Sequence, residues 1–478
     1  MSTDTQPGSP NMQPGPESES DVIAATRKNN TRGKVLTASM VGTTIEFFDF
    51  YAYATASSLV FPALFFPNQT STTQLLSSFA IFGVAFVARP LGSIIFGHFG
   101  DRIGRKKTLI ASLLIMGIGT FLIGLLPTAS TPGWVVLAPL LLVLLRFCQG
   151  VGLGGEWSGA ALLATENAPK GKRAIWGTFP QLGAPVGFII ANLLFVGLNK
   201  WTSPEAFLAW GWRIPFLLSA LLVAVGLYVR MSLMETPAFQ LVSQKQQISK
   251  APLATVFKTS WKPLILGTFI MFATYVIFYF MTAFTLTYGT SPATTDQAKT
   301  AAEAAGTSFD PAGFVAGLGY TKSEFLTYLI IGVVFFGIFT VVSGPLAEKL
   351  GRRKMLMGVT VLIAAYGLVV NVLFNAGTPG VIIALIVGFI LMGLTFGPMA
   401  AYLPELFPAN VRYTGSAISY NMSSVIGAGR RRSSWWPCGR PKVERSSTAA
   451  STSSGLRSSR SSPCSWPRTP LTSTWRLS

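Results

Sequence analysis

Gly97-His98-Phe99-Gly100-Asp101-Arg102-Ile103-Gly104-Arg105-Lys106-Lys107 and Gly344-Pro345-Leu346-Ala347-Glu348-Lys349-Leu350-Gly351-Arg352-Arg353-Lys354 are two versions of one signature, each closing a long apolar segment. Glycine, acid, base, glycine and three bases fall in register at an offset of 247. Glu166, Pro169 and Arg173 recur as Glu405, Pro408 and Arg412 at an offset of 239. The chain is built twice on one plan. Two membrane halves related in this way predict a secondary transporter whose substrate site lies between them.

The rest of the composition agrees. Of 478 residues, 50% are hydrophobic and 12% charged, and the mean hydropathy is +0.49. Apolar runs of about 20 residues, enough to cross roughly 30 Å of hydrocarbon, recur along the chain. They predict helices over 36–64, 75–97, 108–126, 135–158, 174–197, 209–230, 263–288, 325–347, 355–374 and 380–402, with an eleventh starting near Gly415. The expected fold is an all-α membrane protein of two pseudo-symmetric six-helix bundles, the second incomplete at its C-terminal end.

A net charge of +19 invites a nucleic-acid reading, but the positions of the bases oppose it. With the N-terminus inside, cytoplasmic segments hold 21 of the 37 Lys and Arg, and the outer side holds four: Lys200, Arg213, Lys299 and Lys322. Ten more lie in the C-terminal tail, and Arg89 and Arg146 fall deep within predicted helices. This asymmetry is the positive-inside pattern, so the basic balance reflects topology and predicts no nucleic-acid partner. Cys148, Cys438 and Cys464 are too few and too scattered for a disulfide framework or a metal site. His98 is the single histidine, which excludes a multi-histidine metal centre. No nucleophile constellation appears, so the chain does not read as an enzyme.

The domain reading follows. Residues 1–34 are polar and form a disordered cytoplasmic lead without a signal-peptide pattern. Residues 35–230 form the first bundle, 231–262 a polar cytoplasmic linker, and 263–429 about four and a half helices of the second bundle. The outer loop 289–324 reads as mobile, with no function assigned. From Arg430 the apolar pattern stops. The tail 430–478 carries ten bases against one acid, Glu444, and each central base costs about 2.5–3.5 kcal/mol to insert. Two readings stand for it. One is a reading-frame shift near codon 430, because out-of-frame GC-rich coding sequence yields Arg, Ser, Pro and Trp, and these 49 residues match the length needed to finish an eleventh helix and add a twelfth. The other is a genuine basic tail bound to acidic lipids.

Glu46 and Asp49 lie three apart and share a helical face. A carboxylate in the hydrocarbon layer is functional by default, and neighbouring acids and low dielectric let it load a proton near neutral pH. Either acid is therefore a candidate proton carrier; the alternative is a permanent ion pair with Arg89 or Arg146. A guanidinium matches a carboxylate bidentately. Arg146, with Gln149 on its face, is the favoured substrate anchor, and Arg89 is the second candidate, weighted toward neutralising an acid. Tyr275 and Tyr279, four apart in the seventh predicted helix, are candidate substrate contacts from the second half. Gly150-Val151-Gly152-Leu153-Gly154-Gly155 looks superficially like a dinucleotide loop but lies inside an apolar helix, where small residues serve close packing.

Around these helices the chain resembles the major facilitator superfamily, and within it the metabolite:proton symporter family. The stretches that carry the resemblance are Glu46-Phe47-Phe48-Asp49-Phe50, Arg89-Pro90-Leu91-Gly92, the first signature, Arg146-Phe147-Cys148-Gln149-Gly150 through Gly154-Gly155-Glu156-Trp157, Gly211-Trp212-Arg213-Ile214-Pro215-Phe216, Glu235-Thr236-Pro237 and Pro404-Glu405-Leu406-Phe407-Pro408. They span about 35–429, and the most similar subfamily contains shikimate, α-ketoglutarate and proline/betaine transporters. Ser93, where the family often has glycine, is a minor departure; the tail is a large one. The resemblance implies a cytoplasmic gate in which Arg105 and Arg352 pair with Glu166 and Glu405, joined by Arg173 and Arg412, with Asp101 and Glu348 at helix ends.

The expected function is proton-coupled import of a small carboxylate or zwitterion by alternating access, in a monomer of the bacterial inner membrane, with protons as coupling ions and no other cofactor. The alternatives are a proton-coupled efflux antiporter, a passive facilitator and a transporter-like sensor. The frame-shift reading predicts that another frame of the gene, downstream of codon 430, encodes a further apolar span; sequencing that region decides it, and two frames without such a span leave the tail as a genuine basic segment.

Overall fold

The computed structural model describes residues 26, 28–69, 71–245, 247–304 and 316–429. The tail from Arg430, with both of its readings, and the lead through residue 25 lie outside the described residues. Eleven long helices follow in order: α1 Arg32–Leu59, α2 Ser71–Arg102, α3 Arg105–Leu125, α4 Leu137–Glu166, α5 Arg173–Trp201, α6 Ile214–Met231, α7 Trp261–Thr290, α8 Lys322–Leu350, α9 Arg352–Phe374, α10 Gly377–Glu405 and α11 Arg412–Gly429. Among the described residues, α2 to α10 are long and apolar enough to cross a membrane. α1, which carries Glu46 and Asp49, is not one of these nine spans; much of it, including both acids, is buried inside the protein.

The observed helices run past the predicted limits because the signatures are themselves helical. Gly97 to Arg102 form the end of α2, and only Ile103 and Gly104 separate α2 from α3. So tight a reversal needs a left-handed residue: Gly104 has φ 113° and its counterpart Gly351 has φ 83°. Ordered chain also starts earlier than residue 35. Asn30 is buried, donates to Asn167 Oδ1 (3.1 Å) and Met234 O (3.1 Å), and accepts from Met234 N (2.8 Å). One side-chain amide thus satisfies two backbone groups of the linker, which ties this part of the expected disordered lead in place. The linker is itself partly helical, over Pro237–Gln244 and Pro252–Thr259, with Thr236 as the N-cap of the first of these. The loop expected to be mobile contains the helix Thr295–Ala304.

In the first half α4 packs on α2 and α3, and α1 on α5 and α6; in the second, α10 packs on α8 and α9, and α7 on α11. Two seams join the halves, α2 with α4 against α11 and α5 against α8 with α10. They exchange under the internal repeat. The glycine run of α4 lets α2 approach closely: a Cβ on Gly154 would sit 2.2 Å from Arg89 O, and one on Gly150 2.7 Å from the backbone of Ala85. This is packing through small residues.

Gly154→Val should therefore abolish the monodisperse, thermally stable protein, because the obstructing atoms are backbone. Gly358→Ala, where a Cβ meets nothing within 4 Å, should leave the melting temperature in detergent unchanged. Equal stability of the two variants would contradict the close crossing.

Candidate functional site: a cavity between the halves

A narrow cavity lies between the two halves. α1 contributes Glu46, Phe47 and Phe50, and α2 contributes Arg89. The opposite wall is Met271, Thr274, Tyr275, Phe278 and Tyr279 of α7, with Phe396 of α10 and Tyr420 of α11. Glu46 and Arg89 are the charged residues of this otherwise uncharged and mostly aromatic lining. Glu46 Oε2 and Arg89 Nε have no hydrogen-bond partner, and no ion pair joins the two side chains among the described residues. The Arg89 guanidinium rests 5.2 Å from the ring centres of both Phe50 and Phe86, a placement that suits a cation held by aromatic faces.

Asp49 does not share that cavity. Residues three apart on a helix differ by about 60° around its axis, and here that angle sends Glu46 toward the second half and Asp49 into the first bundle. Asp49 accepts from Thr120 Oγ1 (2.7 Å) and Ser219 Oγ (2.9 Å). Thr120 Oγ1 also accepts from Gln149 Nε2 (2.6 Å), and Arg146 donates to Gln149 Oε1 (3.1 Å) while lying 4.0 Å over the Tyr53 ring. Arg146 and Gln149, the favoured substrate anchors, are thus absent from the cavity wall, whereas Arg89, Tyr275 and Tyr279 are in it.

Arg230 is a correction. The sequence puts it in a cytoplasmic segment and leaves Arg89 and Arg146 as the deep cations. In the structure Arg230 is buried and ion-paired with Glu156. Helical side chains lean back toward the helix N-terminus, so a long residue in the last turn of α6 reaches into the bundle. Arg105 is likewise fully buried.

The two signatures meet the opposite halves at one end of the molecule, the basic end. Asp101 accepts from Tyr413 N (3.1 Å), Thr414 N (2.8 Å) and Thr414 Oγ1 (2.8 Å), capping the start of α11. Glu348 accepts from Ala174 N (2.6 Å) at the start of α5. The two caps are equivalent under the repeat offsets, and an anion at a helix N-terminus is favourable. Around them Arg105 lies 3.6 Å and Arg412 3.5 Å from Glu166, Arg105 donates to Ala409 O at 3.0 Å, Arg173 is 3.7 Å from Glu405, and Arg352 pairs with Glu405 and Glu348. The seams are unequal. Asp101 and Arg105 are 0% and 1% exposed, whereas Arg173 is 50% exposed, and exposed pairs contribute about 0–1 kcal/mol. Sequence reasoning missed Thr236, which donates to Glu166 Oε2 at 2.6 Å, and Glu235, which accepts from Lys106 N at 3.1 Å. Both lie in the quoted Glu235-Thr236-Pro237 stretch, but nothing in the order of residues signals that the linker reaches back to α3 and α4.

The architecture matches solved structures. The major facilitator superfamily proton:xylose symporter XylE, bound to 6-bromo-6-deoxy-D-glucose, superposes with a TM-score of 0.63 over 86% of this chain and 88% of that chain at 16% identity, a likeness of fold. A family model described as "Sugar (and other) transporter" matches residues 34–264 and 311–428. The chain belongs to the major facilitator superfamily. Its relatives include the inner membrane metabolite transport protein YhjE of Escherichia coli K12, 52% identical over 401 residues covering 84% of this chain and 86% of that protein. The shikimate transporter of the same strain is 34% identical over 402 residues, covering 82% and 84%. As a member of this superfamily the chain is an integral inner-membrane transporter and not an enzyme.

Unequal seams give a test. Thr178 is buried where α5 meets Gly344 of α8, so a cysteine placed there, in a background with Cys148, Cys438 and Cys464 changed to Ser, reports opening of the basic end. Asp101→Asn weakens hydrogen bonds to a charged group, worth about 1.5–3 kcal/mol, and should speed thiol labelling roughly tenfold or more. Arg173→Ala should change it by less than about fivefold; equal effects would contradict the asymmetry.

Proposed function

We propose that the protein is a proton-coupled importer of a small carboxylate or zwitterionic metabolite, with its basic end facing the cytoplasm. The observation that carries this reading is the cavity between the halves, which one carboxylate and one guanidinium of the first half line without pairing, opposite the largely aromatic wall of the second half. An unpaired charge at this depth is costly. Protonation relieves that cost at Glu46, and a substrate carboxylate relieves it at Arg89. Arg89, not Arg146, takes the substrate anchor's role, with Tyr275 and Tyr279 shaping the second-half wall. Asp49 holds Arg146 and the Thr120–Gln149 chain and so fixes α1, α3, α4 and α6 against one another.

In this mechanism the closed basic end corresponds to the state loaded from outside. Substrate and proton together neutralise the cavity. Rocking of the halves then breaks the Asp101 and Glu348 caps and the Arg412–Glu166 and Arg173–Glu405 pairs, which reseal once cargo has left. The relatives' transport of metabolites and shikimate supports a small organic substrate.

The test is uptake into proteoliposomes under an imposed pH gradient, with labelled shikimate, 2-oxoglutarate, proline and betaine. At least one should accumulate above equilibrium. Glu46→Gln should abolish accumulation while leaving exchange measurable, and Arg89→Lys should raise KM roughly tenfold or more through loss of a bidentate contact. Accumulation by Glu46→Gln at the wild-type level would overturn Glu46 as carrier.

A further inference from the structure

The Glu156–Arg230 pair lies between the cavity and the basic end, and the transport scheme above does not use it. Glu156 of α4 is 1% exposed. Its carboxylate accepts from Arg230 at both oxygens and from Ser112 Oγ of α3 at 2.9 Å. Arg230 Nη1 also donates to Leu109 O at 2.8 Å, four residues into α3 from Arg105 of the closed mouth. On its other side the guanidinium lies against α1 at Gly42, where a Cβ would sit 1.7 Å from Arg230 Nη2. Gly42 is one helical turn from Glu46, about 6 Å along the axis, and on the same face. Glycine at this position is what admits the guanidinium against the helix that carries the cavity acid. A buried ion pair is weak evidence for stability alone, because desolvation cancels much of its attraction.

We propose that Glu156 is the second station of the proton, between Glu46 and the cytoplasm, and that Arg230 is the counter-charge serving both acids in turn. The step balances: protonated Glu46 becomes a carboxylate as the Glu156 carboxylate gains the proton, and Arg230 turns from Glu156 to the newly charged Glu46. No charge is created or left uncompensated in the bundle. Glu156 then releases its proton toward the basic end when the mouth opens; its α3 partner Ser112 lies two turns from Arg105. Helix α11 is placed to link this step to rocking, since Tyr413 OH donates to Gly155 O (2.6 Å), Asn421 to Gly154 O (2.9 Å), and Tyr420 stacks on Trp157 at 3.9 Å. The second half thus grips the turn of α4 that carries Glu156, and lets go when the halves part.

This inference rests on the proton-coupled reading, and the assay separates the two. Wild-type protein that accumulates no substrate under a pH gradient sinks that reading before any variant is compared. Given wild-type accumulation, Glu156→Gln should retain exchange at equal pH within about threefold and lose gradient-driven accumulation at least tenfold. Because Glu156→Gln leaves Arg230 buried without a charged partner, Glu156→Gln/Arg230→Met is made alongside it. The double variant should fold, exchange and fail to accumulate in the same way. Accumulation at the wild-type level by either variant overturns the proposal. Loss of exchange in step with accumulation in the double variant, or failure of the double variant to fold, makes the pair structural and overturns it equally.

Discussion

Charge buried at membrane depth must be paired, neutralised or used, and this structure is organised around that constraint. Asp49 is surrounded by hydroxyls, Arg146 by an amide and aromatic faces, Glu156 by Arg230 and Ser112, and Asp101 by the first turn of α11. Glu46 and Arg89 stand apart, because both face the cavity between the halves without pairing to one another. The packing that surrounds them serves to keep that arrangement in place: small residues bring α2 and α4 together, and short glycine turns bring the signatures to the opposite half.

The pseudo-symmetry is closer in geometry than in energy. Asp101 and Glu348 cap equivalent helix starts, and Glu166 and Glu405 receive equivalent arginines. Yet the α2–α11 seam is desolvated and gains Tyr413, Asn421 and, through Glu166, the linker's Thr236, while Arg173 of the α5–α8 seam is half exposed. A repeated plan with unequal burial gives one firm seam and one yielding seam, which suits a rocking motion.

Much of this was legible in the sequence, for identifiable reasons. The doubled signature and the apolar runs carried the helix order and the two halves, because the hydrocarbon core permits few alternatives. The acids and bases of the basic end stood out because they recur at two fixed offsets, 247 and 239, and their pairing followed from the family resemblance. The roles within the first bundle were not legible in the same way. Glu46 and Asp49 share a helical face by spacing, and only packing against α3, α6 and α7 reveals that one faces the cavity and the other the bundle. Arg146 reads as central because it lies mid-helix, yet Tyr53 covers it. Arg230 reads as a loop base because it ends an apolar run, and the backward lean of its side chain is invisible in a string of letters.

The most direct test of the central claim, that an unpaired cavity carboxylate couples proton to substrate, is proton movement itself. A pH dye is trapped in proteoliposomes without an imposed gradient, and whichever of shikimate, 2-oxoglutarate, proline or betaine is transported is added outside. The account predicts that the lumen acidifies as substrate enters, in fixed ratio, and that this signal disappears when Glu46 is replaced by Gln. Alkalinisation, substrate entry with no proton signal, or an undiminished signal without the Glu46 carboxylate would contradict it.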